Sequence, residues 1–339
     1  MPDIDERQPI AVTMGDPAGV GPEVAALAWA ARHRHDLPPF VAIGDITAIE
    51  AVWDGPVARI GDMEEAAGAF QSALPVWHLE DSGPLTPGLS TPAGATCALH
   101  ALETGIGLTR NGASAALVTG PVSKHALHGV GYTHPGQTEF IAERCGVTAT
   151  NAVMMLAGPS LRVVPLTVHI PLADVSERLT ADLIVAKGRI VARGLSRDFG
   201  VAQPRLAIAG LNPHAGESGQ LGDEEIRIIA PAVAQLAEEG IVIEGPLAAD
   251  ALFAPGIRDQ YDAILCGYHD QALAPFKALH FHDGVNLTLG LPIIRTSPDH
   301  GTAFNIAGKG QADPGPTIAA IATAARMAAA RERSCAPAQ

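Results

Sequence analysis

Short β-rich runs alternate with longer Ala-rich stretches along most of the chain, and this alternation restricts the fold more than any other feature. Ile10 to Met14 precedes a helical pattern from Pro22 to Arg32, and Phe40 to Gly44 precedes Ala93 to Thr109. Ala115 to Thr119 and Leu161 to Val168 are followed by a helical pattern from about Thr180 to Gly194. Leu206 to Leu211, the helical Glu224 to Glu239, Ala263 to Cys266 and the helical Pro316 to Arg331 complete the series. Repeated switching between strand and helix periods predicts an α/β class with a largely parallel sheet. At 339 residues the chain exceeds one compact core, so two lobes with a cleft are expected. Pro- and Gly-rich connections at Ser82 to Pro92, Gly129 to Gly136 and Pro255 to Asp259 are the candidate hinges.

Charge narrows the partners. Lys and Arg number 22 against 36 Asp and Glu, and the resulting −14 repels phosphate backbones and anionic membrane surfaces. Nucleic acid and membrane partners are therefore not expected. An anionic ligand would have to be held by a local cationic cluster or a metal, against the overall field. The start MPDIDERQPI lacks the basic and apolar sections of a signal peptide, and no apolar run reaches membrane-spanning length, so a cytoplasmic protein is expected. Cys97, Cys145, Cys266 and Cys335 form no CxxC pair and read as free thiols.

Three of the 13 histidines stand apart from the rest. His169 ends LRVVPLTVHI, His214 follows LAIAGLN, and His269 follows DAILCG, each just beyond the carboxyl end of an expected strand. Ligand sites in open α/β sheets form there, so the three imidazoles are candidates to converge on one divalent metal with a coordination position left open. Ordinary loop histidines are the alternative. Asn212, Gly216, Glu217 and Gly219 crowd turn-forming residues around His214 more densely than local structure commonly needs. Asp223 reads as an N-cap, and the run to Glu225 as a dipole-matched first helical turn.

Farther on, Lys277, Asn286 and Arg295 supply an ammonium, an amide and a guanidinium suited to a carboxylate and a phosphate. Lys277 is also a candidate proton acceptor. Gln137, Thr138 and Glu139 open a helix whose free amides could meet an anion, although a simple capped start would look the same. The turn with Gly15, Asp16, Gly19 and Gly21 before Pro22 has neither GxGxxG nor a P-loop Lys, and HGTAFNIAGKG is a second Gly-rich stretch.

MGDPAGVGPE, VTGPVSK, GQTEF, LTVHIPL, LNPHAGESG, GPLAAD, YHDQALAPFK, VNLTLGLPIIRTS and DHGTAF together resemble the 4-hydroxythreonine-4-phosphate dehydrogenase family of pyridoxal phosphate biosynthesis. The strings GDPAGVGPEV and HGTAFNIAGKGQADP also resemble those of isocitrate and isopropylmalate dehydrogenases. The resemblance implies a two-lobed isocitrate/isopropylmalate dehydrogenase-like α/β fold with an interlobe cleft. Residues 1–133 plus 297–339 would form the lobe with both termini and the cofactor side, and 134–296 the metal, substrate and dimer side. It further implies a homodimer whose subunits share the active site, NAD or NADP as cofactor, and one divalent metal, whether zinc, cobalt or magnesium. By resemblance His169, His214 and His269 are metal ligands, with His269 supplied by the other subunit. Gln137, Thr138, Asp250, Lys277, Asn286 and Arg295 match substrate-contacting positions, Lys277 leading and Asp250 following as the catalytic group. Gly301, Thr302 and Asn305 match the cofactor side.

The implied reaction oxidises 4-phosphooxy-L-threonine to 2-amino-3-oxo-4-phosphooxybutanoate, which decarboxylates to 3-amino-2-oxopropyl phosphate. Two positions depart from the family pattern: Gln137 stands where His is common, and Asn305 where Asp is frequent. Gln137 keeps open dehydrogenases acting on phosphorylated threonate or erythronate, or on aromatic cis-diols. A phosphotransacetylase-like acyltransferase is the alternative from another class.

Overall fold

The computed structural model describes residues 8–79 and 83–335. The acidic start, the first residue of the Ser82 to Pro92 connection, the last four residues and the Cys335 thiol lie outside this description. The chain divides into two compact units, one of Met1–Ala149 with Leu291–Ala329 and one of Thr150–Gly290 with Ala330–Gln339. The first unit contains β1 (Ile10–Thr13), β2 (Phe40–Gly44), β3 (Val57–Ile60), β4 (Leu74–His78) and β5 (Ala116–Thr119). The second contains β6 (Val153–Ala157), β7 (Arg162–Pro165), β8 (Arg205–Ala209), β9 (Val242–Leu247), β10 (Ala263–Cys266) and β11 (Val285–Leu289). The first resumes with β12 (Arg295–Pro298).

In the first unit the strand order is β3-β4-β2-β1-β5-β12, with every neighbouring pair parallel. Its central strands β1, β2 and β5 are wholly buried, which is why they read as unbroken apolar runs instead of alternating ones. Phe40 packs edge-on against Phe70 with centroids 5.1 Å apart. Fully burying side chains of this kind contributes about 1.5–3 kcal/mol each. Helix α1 (Gly21–Ala30) leaves β1 through a tight turn. A Cβ at Gly21 would lie 1.7 Å from the Met14 carbonyl oxygen, so glycine alone allows the helix to start there. Helix α2 (Pro92–Arg110) is capped by the Thr91 side chain, which accepts from the Gly94 N–H, and α3 (Gln137–Arg144) begins directly after Gly136.

The second unit has the order β11-β6-β7-β10-β8-β9. Here β11/β6 and β6/β7 are antiparallel, and β7, β10, β8 and β9 run parallel. The sheet is thus mixed, and the parallel expectation holds for its far half. Helix α4 (Ala181–Phe199) starts on a Thr180 side-chain cap, ends at left-handed Gly200, and buries Ile184, Val185, Ile190, Val191 and Leu195. Leu156, Val163, Ala207, Ile264, Cys266 and Phe276 form the core on the other side. Phe276 lies in α5 (His269–Leu279). Beyond it, His280 links Ser160 of the β6–β7 turn (2.9 Å) to Asp283 (3.1 Å), and Gly158 leaves room for its ring. Among the described residues no helix is long and apolar enough to cross a membrane.

Candidate functional site

The parallel strands β7, β10 and β8 deliver the three histidines to one edge of the second unit's sheet. Beyond β7 the ladder continues for two residues: the Leu166 N–H donates to the Cys266 carbonyl, and both the N–H and the hydroxyl of Thr167 donate to the Gly267 carbonyl (3.2 and 2.7 Å). His169 and His269 stand two residues past this joined pair, and their rings lie 5.8 Å apart. Gln271 ties in the third strand. Its side-chain carbonyl accepts from the Gly267 N–H (2.6 Å), while its amide donates to the Gly210 carbonyl at the end of β8 (2.8 Å). The Asp270 carboxylate lies 2.7 Å from Nδ1 of His269, the kind of contact that fixes an imidazole and leaves Nε2 outward.

His214 enters from an unusual turn. Residues 214–218 all adopt left-handed backbone, and only Gly216 among them is a glycine. His169 also has a positive φ of 52°. Such conformations are strained in L-residues and concentrate at functional sites. The expected Asp223 cap is absent: Asp223 is exposed and pairs with Arg227 one helical turn on (3.5 Å), and the helical start is a π turn at Glu225–Ile229 with no side-chain cap. Glu225 is not a solvated first-turn acid either. It is buried and holds Asn212. Among the described residues, no three His, Cys, Asp or Glu side chains of one chain gather closely enough to hold a metal ion. His169 and His269 are therefore adjacent, and His214 does not complete a trio with them inside this chain.

A second polar group forms in the first unit at the end of β5. Arg295 of β12 is only 4% exposed, and its Nε and Nη2 both donate to the Thr119 hydroxyl (3.2 and 2.7 Å). Burial draws its pKa down to about 10, with Glu139 and Tyr132 acting in the opposite direction, so the guanidinium remains charged at neutral pH. Burial, reinforced by Glu139, pushes the Tyr132 phenol well above its ordinary range; its hydroxyl donates to the Gly136 carbonyl (2.6 Å). Gln137 donates its side-chain amide to the Gly120 carbonyl (3.1 Å), which leaves Oε1 buried without a hydrogen-bond partner. Thr138 follows in the first turn of α3, half-buried.

Asn286 in β11 also has a buried, unpartnered Oδ1. Lys277 is half-buried near the end of α5, and Asp250 is exposed in a single helical turn. The two Gly-rich stretches meet within the first unit. The Val20 N–H donates to the Thr302 carbonyl (3.0 Å), and the buried Glu23 carboxylate accepts from the N–H groups of Gly308 and Ala312. Gly301 and Asn305 are exposed on that loop. Asp16 is used internally, accepting from the Ala18 N–H and the Ser90 hydroxyl. Thr167, Gln271 and Tyr132 were not marked by the sequence reading, and Glu225 was read only as one acid of a dipole-matched first turn. Only the linkage of Gln271 to YHDQ hinted at one of them.

A crystal structure of 4-hydroxythreonine-4-phosphate dehydrogenase from Klebsiella pneumoniae shares the fold with a TM-score of 0.86 and 36% identity, over 95% of this chain and all of that one. A terephthalate 1,2-cis-dihydrodiol dehydrogenase from Burkholderia xenovorans matches less well, with a TM-score of 0.67 and 28% identity over 94% of this chain and 98% of that one. The chain is thus an α/β oxidoreductase, of a kind that implies a nicotinamide cofactor. A family model described as pyridoxal phosphate biosynthetic protein PdxA matches residues 37–324. The 4-hydroxythreonine-4-phosphate dehydrogenase of Zymomonas mobilis is 54% identical over 325 residues, covering 96% of this chain and 97% of that protein. The chain belongs to the PdxA family.

Proposed function

We propose that this chain is a cytoplasmic, NAD(P)- and metal-dependent dehydrogenase of 4-phosphooxy-L-threonine, assembled as a homodimer. The single observation that carries the reading is the gathering of strand ends β7, β10 and β8, which presents three imidazoles on one sheet edge. Neutral imidazoles suit zinc and cobalt better than an all-oxygen site would, and the donor set fits a divalent ion. The resemblance implies that His269 of a second copy joins His169 and His214; within this chain His269 lies beside His169, and His214 stands apart from that pair. When bound, the ion would polarise the substrate hydroxyl and the nicotinamide would take up hydride.

The chain's own residues would do the rest. Arg295, charged and fixed on Thr119, presents a fork suited to a phosphate. The unpaired carbonyl oxygens of Gln137 and Asn286 accept hydrogen bonds and so suit the substrate's hydroxyl and ammonium groups. Thr138 adds a hydroxyl beside Gln137. Lys277 would hold or receive the hydroxyl proton, ahead of Asp250. Gly301, Thr302 and Asn305 would lie along the cofactor. The greater likeness to 4-hydroxythreonine-4-phosphate dehydrogenases than to the cis-dihydrodiol dehydrogenase favours the phosphorylated amino acid as substrate.

The test follows nicotinamide reduction with 4-phosphooxy-L-threonine, NAD or NADP, and zinc, cobalt or magnesium, beside a chelator-treated control. Metal-dependent reduction is expected, and His169→Ala, His214→Ala and His269→Ala should each abolish most of it. Turnover of a cis-diol or a phosphorylated aldonate alone would replace the substrate assignment.

A further inference from the structure

We infer that the buried carboxylate of Glu225 is a positioning residue that holds the left-handed His214 turn in shape and so sets the direction of its imidazole. The inference rests on the proposed role of His214 in metal binding. Left-handed backbone is visited by L-residues singly, because Cβ crowds the following carbonyl, yet here five successive residues adopt it. His214, Glu217 and Ser218 are exposed, so packing of their side chains cannot impose the conformation. Something at the base of the turn must.

Glu225 is 3% exposed and grips that base at two points. Its Oε1 accepts from the backbone N–H of Asn212 (2.7 Å), and its Oε2 from the Asn212 side-chain amide (3.0 Å). The same amide also donates to Glu224 (2.7 Å), and the Asn212 carbonyl accepts from the Ala215 N–H, closing the first loop of the turn. Three glycines clear the space around this clasp. A Cβ at Gly216 would come within 2.7 Å of Glu225 Oε2, one at Gly222 within 2.4 Å of the Asn212 amide nitrogen, and one at Gly210 within 2.9 Å of the Ala215 Cα. The turn thus rests directly on the carboxylate, with no side chain between. Carboxylate acceptors form stronger bonds to N–H groups than neutral ones do, and an amide in their place would turn a donor toward the Asn212 donors.

Cobalt(II) titrated into metal-stripped protein, followed by its visible absorbance, tests the assignment without turnover. Glu225→Gln should weaken cobalt binding ten- to a hundredfold and shift the spectrum. Ser218→Gly added to Glu225→Gln should recover much of that loss, because glycine occupies left-handed backbone without crowding. A general structural role would not respond to that second change, so failure of the double variant to recover overturns the proposal. Asn212→Ala, which keeps the backbone bond to Oε1, should show a smaller loss and serves if Glu225→Gln does not fold. Wild-type affinity and spectrum in both Glu225→Gln and Asn212→Ala overturn the proposal alone. A wild-type protein that binds no cobalt overturns the histidine reading and this one with it.

Discussion

Lys187 of α4 donates a 2.8 Å hydrogen bond from its buried ammonium to the carbonyl of Leu166, three residues before His169. Lys187 is 9% exposed, and burial draws its pKa from 10.5 to about 8. In the unfolded chain the amine keeps its ordinary value, so between pH 8 and 10.5 the unfolded state binds more protons. Stability from this group therefore rises with pH through that window and is lowest below it. Against Lys187→Met, the wild type should gain on the order of 3 kcal/mol across the window. Urea unfolding at a series of pH values measures it, and a constant difference between the two proteins would reject the burial argument.

Gln271 joins the ends of β10 and β8 through both halves of one amide. Gln271→Met keeps the side-chain volume and removes both bonds. Cobalt affinity should fall about tenfold, as for other groups that orient metal ligands, with a stability loss of about 1–3 kcal/mol. Unchanged affinity in a folded variant would show that the strand ends are aligned by Thr167 and Gly267 alone.

Lys277→Ala should separate chemistry from metal loading. Turnover is expected to fall by about a hundredfold or more, in the range typical of lost proton transfer, with metal content near that of the wild type. Single-turnover kinetics with metal analysis of the same sample decide it, and equal loss of both would assign Lys277 to assembly of the metal site.

For Arg295, retention of charge is not enough. Arg295→Lys keeps the cation and loses the planar fork that spans Thr119, so KM for the phosphorylated substrate should rise about ten- to a hundredfold with little change in kcat. A KM equal to the wild-type value would mean that the phosphate is bound elsewhere.

Gly21→Ala should be among the most damaging single changes in the first unit, since its Cβ would overlap the Met14 carbonyl. A loss of about 3 kcal/mol or more is expected in thermal or denaturant unfolding, because either the strand end or the helix start must shift.

The α/β class was legible because buried parallel strands such as IAVT and AILC are continuous apolar runs separated by longer helical patterns. The position of the three histidines past strand ends was legible for the same reason, each following such a run. The antiparallel pairing of β11 and β6 was not, because MMLA and VNLTL carry no local mark of direction. Glu225 was read as part of a dipole-matched acidic first turn: Asp223, Glu224 and Glu225 look equivalent in sequence, and only the fold shows that Glu224 and Glu225 both accept from Asn212 and that Glu225 is the buried one. Gln271 and Thr167 escaped notice because each bonds a backbone group far along the chain, Gly210 and Gly267 respectively. Gln137 was marked as a departure, but the orientation of its amide depends on Gly120, seventeen residues away.

The joining of β7, β10 and β8 also bears on how the protein folds. His169 and His214 lie 45 residues apart along the chain, His214 and His269 55, and His169 and His269 100, so their approach requires long loops to close, the slow kind of event in chain collapse. An ion that binds only after these pairings would report completion of the strand register, and recovery of the cobalt colour would trail recovery of helical signal during refolding. Such an ion would also pull the equilibrium toward the finished sheet, by an amount that grows with the logarithm of its concentration. The same residues would then act as a ligand set in the mature enzyme and as a latch on its last stage of assembly.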